Sequence, residues 1–361
     1  MEVSASGAPK GLVDQTKKKI QGTLGSIMKP MEDAVGMPSI EPGTSVTAHF
    51  QWVRQFLAGE PGKAQLDSIV NSIADIQRQI DTLGPDVAGK SALVMLTDPS
   101  FRVLTQNLQQ RAESLPPAVG RIVKEIAEAP EANVRRTATG QVEEEYTQRI
   151  VPLCTSLITN RYPFATTGTD VQLADFATVF GYDGLFDKFF TDYLDKQVDT
   201  TGRAWTWRPG AVNPSHGLLE QMQQARRIRD MFFTPGSKAP DLKFFVTFTD
   251  LDPNAQRFVL TVDGQNVDTK GQKQEMTWPG PRQGHAYAAF ESRYYDPPTP
   301  YGGPWALFRL IDATRVVGQD GQRILLNIQN PHHRVKAIIE PERVGGNPFA
   351  SGSWRQFVCE S

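Results

Sequence analysis

Apolar residues recur at three- and four-residue steps along the first two thirds of the chain and at two-residue steps along the last third. "SVTAHFQWVRQFLA" sets Val46, Phe50, Val53, Phe56 and Leu57 on one helical face before Gly59-Pro61-Gly62 interrupts it. "KAQLDSIVNSIADIQRQIDTL" continues the step through Leu66, Ile69, Ile73, Ile76, Ile80 and Leu83, and Gly84-Pro85 ends it. Asp98 and Pro99 form an N-cap and first helical position for a segment carrying Phe101, Leu104, Leu108 and Leu115. "PPAVGRIVKEIAEA" predicts a further helix, and "TGQVEEEYTQRIVPLCTSLITNRYPF" a long one kinked near Pro152. Two short helices flank Gly181–Gly184, rich in phenylalanine, and "PSHGLLEQMQQARRIRDMFF" is the last long helix.

From Asp241 the period becomes two. Asp263-Gly264 and Asp320-Gly321 lie between alternating runs and predict two tight hairpins. Helices in one block and strands in the next imply an α+β fold, with an all-α region followed by a mainly antiparallel, sandwich-like β domain. The expected boundaries are a loosely held arm over 1–44, a helical region over 45–236 that divides near 140, and a β domain over 237–361. "GPWALFRLID" (303–312) interrupts the β pattern. Its spacing predicts a short helix wedged against the sheets, with Gly303 as cap and Pro304 in the first turn. Arg309 and Asp312 then stand three residues apart on the remaining side, where they can pair.

Composition narrows the function classes. Of 361 residues, 38 are Lys or Arg and 40 are Asp or Glu, so no net basic field exists for nucleic acid or anionic lipid. The chain has no run of eighteen apolar residues and no secretory signal at its start. Phosphate-binding glycine loops, nucleophile elbows and metal-ligand spacings are absent from the sequence. Adjacent His332 and His333 point to opposite faces if they lie on a strand, which disfavours a shared metal. We therefore expect no catalytic residue, cofactor site or metal site. Cys154 falls on an apolar helix face, far in sequence from Cys359, and a buried free thiol is expected there. Trp205, Trp207, Trp278 and Trp305 pack a core or line a sugar platform. The second option makes a carbohydrate- or peptidoglycan-binding module the alternative reading, with a hydrolase as a further rival.

Three stretches, taken in order, resemble one family. "CTSLITNRYPF" includes Arg161, Tyr162, Pro163 and Phe164, and "DFATVFGYDGLFDKFF" follows it. "TWPGP…GPWALFRLID" includes Trp278, Pro279, Gly303, Pro304, Trp305, Phe308, Arg309 and Asp312. Together, over roughly residues 90–350, they are similar to the C-terminal periplasmic region of the IcmF-like TssM family of type VI secretion membrane-complex proteins. That resemblance implies a fragment of an inner-membrane protein with a structural, non-enzymatic role. It implies binding of the outer-membrane lipoprotein TssJ through the β domain, and assembly with TssL and further TssM copies into a trans-envelope complex. Membrane helices and a Walker motif, present in whole family members, are not found in this sequence, so nucleotide hydrolysis is not carried over. Tyr294, Tyr295 and Tyr301 in the loop "YYDPPTPYGG" are the candidate partner contacts, because tyrosine offers a large, stiff, amphipathic surface.

Overall fold

The structure is a computed structural model that describes residues 65–81, 91–115, 117–214, 217–294, 296–343, 346–350 and 353–359. The expected arm over 1–44 and the helix from Ser45 lie outside the described residues. Contacts divide the chain into two compact units, one of Met1–Val142 with Trp207–Pro214, the other of Glu143–Thr206 with Ser215–Ser361. The change of period near residue 237 therefore does not coincide with the boundary between compact units.

The first unit is helical. α1 (Gln65–Asp81) buries Ile69, Ile73 and Ile76, the residues its periodicity selects. α2 (Ser91–Thr97) leads through Asp98 into α3 (Pro99–Glu113), whose first turn is capped by the Asp98 carboxylate accepting from the Ser100 N–H at 2.8 Å. α4 (Pro117–Glu145) is one helix and joins the predicted helix in "PPAVGRIVKEIAEA" to the start of the one predicted from "TGQVEEEY". It runs through Pro130 and Gly140, and burial of Val123, Ala127, Val134, Ala138 and Val142 along one side outweighs the hydrogen bond that Pro130 removes. Arg135 on this helix donates to the Gly210 carbonyl at 3.2 Å and ties in the 207–214 segment.

The second unit begins at Glu143, in the last turn of α4, which passes into a π-turn, Tyr146–Ile150, and then α5 (Val151–Ile158). The Val151 N–H reaches the Tyr146 carbonyl, a five-residue step. The distortion thus precedes Pro152, which sits in the first turn of α5 where a missing N–H costs little. α6 (Leu173–Phe180) and α7 (Leu185–Phe189) turn about Gly181–Gly184. Two short strands, β1 (Val198–Asp199) and β2 (Thr206–Trp207), precede α8 (Gly217–Phe232).

Among the described residues nine further strands form two antiparallel sheets. They are β3 (Leu242–Thr249), β4 (Arg257–Val262), β5 (Gln265–Asp268), β6 (Gln274–Trp278), β7 (His285–Glu291), β8 (Tyr301–Gly302), β9 (Arg315–Asp320), β10 (Arg323–Gln329) and β11 (Arg334–Pro341). One sheet has the order β6-β3-β11-β10-β9 and the other β5-β4-β7-β8. Alternation sets the buried faces. Ile324, Leu326 and Ile328 of β10, Val335, Ala337 and Ile339 of β11, and Phe258, Leu260 and Val262 of β4 all point inward. The sheets meet where Phe248 of β3 packs against Phe258 of β4, 5.1 Å between ring centroids.

Both hairpins form, with different turns. Val262 pairs with Gln265, so Asp263 and Gly264 are the two central residues, both at positive φ. In the second, Asp320 pairs with Arg323, so the central residues are Gly321 and Gln322, one position later than the dipeptide suggests. Gly321 takes the positive φ at the first central position, a II′ pattern.

The short helix predicted within "GPWALFRLID" is present as α9 (Ala306–Asp312). It starts later than its proline suggests. Gly303 adopts φ +89, Trp305 is the N-cap, and the Ala306 N–H closes a turn onto the Gly303 carbonyl at 3.0 Å.

The free thiol expected at Cys154 is replaced by a disulfide to Cys359. Cys154 is fully buried in α5, and the C-terminal segment returns across the aromatic core to reach it. The sequence separation of 205 residues hides this proximity. A loop that long restricts the unfolded chain strongly, so removing the bond should cost about 2–5 kcal/mol. We expect reductant to lower the unfolding midpoint of the wild type, and Cys154→Ser/Cys359→Ser to show the same loss without further response to reductant. Equal midpoints with and without reductant would contradict this.

Candidate partner-binding site

The residues that single out this sequence build two different things: an interlocked core and an open cleft. In the core, Trp278 and Trp305 are 1% and 0% exposed, with ring centroids 4.8 Å apart, so neither can serve as a sugar platform. The Trp305 indole N–H donates to the Val171 carbonyl at 2.7 Å, and that of Trp278 to the Pro304 carbonyl at 3.1 Å. Both polar edges are satisfied, which is what allows such large rings to be fully buried. Phe308 stacks on Phe349 and meets Trp278 edge-on. Phe164 joins Phe176, Phe180 and Trp354 in the same cluster. The prolines of both aromatic-proline pairs, Tyr162-Pro163 and Trp278-Pro279, follow cis peptide bonds. Trp205 is half-buried beside Phe190, with the Arg226 guanidinium over its ring.

Arg309 and Asp312 do not pair with each other. Arg309 bonds Asp170 and lies 4.0 Å over the Tyr162 ring. Asp312 takes both the Tyr162 hydroxyl at 2.6 Å and the Arg355 guanidinium at 2.6 Å. Arg161 approaches Asp175 at 3.8 Å. Gly303 is required at its position because its φ is positive and because a Cβ there would collide with the Asp170 carboxylate. Spacing along α9 placed the Arg309 and Asp312 charges on one side, but the partners come from elements 139 to 150 residues away and from the C-terminus.

Asp263 was not among the expected residues. It is 2% exposed, and its carboxylate accepts from the N–H groups of Gly280, Gly284 and His285 at 3.0, 2.8 and 3.2 Å. It therefore fixes the loop after the Trp278-Pro279 bond. The sequence signal was present, since Asp-Gly marks a hairpin, but the same Asp also holds a second loop.

The cleft lies between the two sheets. It has a volume of about 460 Å³ and is bounded by Ala288 and Phe290 of β7, Asn327 and Gln329 of β10, Leu310 of α9, and the proline-rich loop 296–301. Tyr301 lines it. Tyr294 stands outside, 44% exposed, stacked on His332 with centroids 5.0 Å apart and interplanar angle 6°. Tyr295 lies outside the described residues. His332 bonds Asp296 at 2.7 Å, while His333 is buried and bonds Ser292 Oγ at 2.8 Å, so the two imidazoles have separate partners. No cluster of three metal-ligating side chains occurs among the described residues.

Burial, followed by the hydrogen bond to Asp312, pushes the Tyr162 phenol well above its ordinary range. The neutral form is thus favoured in the folded state, and its contribution is complete below the unfolded tyrosine pKa of about 10. It is lost as pH rises beyond that value, because the unfolded chain ionises first. Tyr162→Phe should cost roughly 1 kcal/mol at neutral pH and show a shallower stability loss between pH 10 and 11 than wild type. Urea unfolding at several pH values measures both effects, and parallel alkaline curves for the two proteins would refute the assignment.

Comparison with known proteins agrees with these features. Residues 244–343 match the family model of the type VI secretion protein IcmF C2-like domain. The type VI secretion system component TssM1 of Pseudomonas aeruginosa is 28% identical over 364 residues, covering 95% of this chain. The chain spans about a third of that relative's length, 32%. A solved type VI secretion system membrane core complex has a chain of the same fold, with TM-score 0.72, 16% identity, and coverage of 97% of this chain and 77% of that one. The TssM C-terminal domain from EAEC aligns with TM-score 0.53 and 18% identity, over 62% of this chain and 97% of that one. The chain is therefore similar over nearly its whole length to a TssM protein of a type VI secretion system, and its β-sheet region matches the IcmF C2-like domain over residues 244–343.

Proposed function

We propose that this chain is a non-catalytic, structural part of a type VI secretion membrane complex, that it resides in the periplasm, and that its β-sheet unit binds the outer-membrane lipoprotein TssJ. In the full-length protein it would act alongside TssL and further TssM copies. The observation that carries the reading is the similarity to TssM1 across 95% of the chain. Two physical features support it. The charged motif residues Arg309 and Asp312 are each held by a charge from elsewhere in the chain, Asp170 and Arg355, in contacts that suit a structural role. The Cys154–Cys359 disulfide suits an oxidising compartment such as the periplasm. Among the described residues no helix is long and apolar enough to cross a membrane. Burial of Trp278 and Trp305 takes two of the four tryptophans of the carbohydrate-binding reading out of a ligand's reach, while Trp205 and Trp207 are half-buried.

Exposed Tyr294, the cleft-lining Tyr301 and their neighbour Tyr295 are the proposed contacts. Calorimetry with the soluble part of TssJ should show binding to wild type. Replacing Tyr294, Tyr295 and Tyr301 together with Ala should weaken it by more than about tenfold, as truncation of interface tyrosines does. An intact variant of undiminished affinity would reject this loop as the contact, and a wild type that fails to bind TssJ would reject the partner.

A further inference from the structure

β7 is fully paired along one edge and only partly along the other. On the β4 side its pairing runs from Ala286 to Glu291. On the β8 side it stops after two residues, His285 with Gly302 and Ala286 with Tyr301. The His285 carbonyl accepts from the Asp263 N–H and the Glu291 carbonyl from the Gln256 N–H, so the odd-numbered backbone groups of β7 face β4. By alternation, those of Ala288 and Phe290 face the other way, into the cleft. Both residues line that cleft.

The reason β8 stops is written in its sequence. Continuing its register backwards would set Thr299 opposite Ala288 and Pro297 opposite Phe290, with Pro298 and Pro300 alternating between them. At the position facing Phe290, Pro297 has no N–H to give to the ladder, while Pro298 and Pro300 fall at positions that point away from β7. The chain instead leaves β7 and forms the outer wall of the cleft. A strand position remains open beside Ala288–Phe290, in a space of about 460 Å³, within the 300–1,000 Å³ typical of ligand sites.

We infer that this cleft is a strand-addition site for an extended segment of a partner protein, one that carries an acidic side chain. Main-chain bonds to Ala288 and Phe290 supply the pairing. Residues aligned with those two share their inward face, toward Leu310 and Ile328, and must be small or apolar. The charge requirement comes from the rim. Among the described residues two charged side chains line the cleft: Asp296 is hydrogen-bonded to the His332 ring at 2.7 Å and mostly covered, whereas Arg315 is exposed and has no ion-pair partner among the described residues. The inference rests on reading this unit as partner-binding, and it names the binding mode and the chemistry of the bound segment.

The test uses displayed random seven-residue peptides, selected on the intact chain. Enriched sequences should alternate apolar with polar residues and contain Asp or Glu. A selected peptide should slow hydrogen exchange at the Ala288 and Phe290 amides. Arg315→Glu, a surface change that leaves the core alone, should weaken that peptide roughly tenfold. Ala288→Pro, which deletes one cleft-facing N–H, should abolish binding while the fluorescence of the buried tryptophans is retained. If Ala288→Pro fails to fold, the exchange data and Arg315→Glu decide. Absence of enrichment, unchanged exchange at both amides, or equal affinity for Arg315→Glu overturns the proposal. None of these outcomes depends on TssJ, so the calorimetry stands or fails separately.

Discussion

Burial of the Trp305 indole organises the second compact unit. Its ring touches Phe176 of α6, Phe232 of α8, Trp278 of β6 and Trp354 near the C-terminus, all with centroids within 6.3 Å. A ring this large can be fully enclosed only if its N–H is satisfied, and the Val171 carbonyl does that. The loop that carries Val171 also carries Asp170, which receives Arg309 from the next turn of α9. One short helix thereby fixes the loop after α5, the end of α8 and the edge of a sheet. Helix propensity alone would not hold a seven-residue segment, and tertiary packing supplies the stability.

The charged residues around this core follow the same logic. A buried or half-buried charge is tolerated when it is paired and hydrogen-bonded. Asp312 receives both a phenol and a guanidinium, and Asp263 receives three backbone N–H groups. Such groups look like an active site in a linear sequence because they are polar residues set among large apolar ones. Here each one locks a loop or terminus to the core. The disulfide acts in the same direction, holding the returning C-terminus against α5.

The cleft is the exception to this closure. In the register of β8, Pro297 falls opposite Phe290 and has no N–H for the ladder, and proline is one of the residues by which sheet edges are kept from pairing indiscriminately. The tyrosine and histidine pair Tyr294–His332 stands at its margin.

Much of this was legible in the sequence because it depends on local period and local chemistry. α1, the capped start of α3, the two hairpins and α9 each follow from apolar spacing, a capping Asp or an Asp-Gly or Gly turn within a few residues. The α+β class follows from the same periods. Tertiary structure decided what local rules cannot see. Continuous packing carried α4 through Pro130 and joined two helices that the sequence reading kept separate. The partners of Arg309 and Asp312, the pairing of Cys154 with Cys359, and the burial of Trp278 and Trp305 all depend on residues brought together across more than twenty, and mostly more than a hundred, positions. The cleft depends on what is missing beside β7, and a missing neighbour leaves no mark on the periodicity of the strand that lacks it.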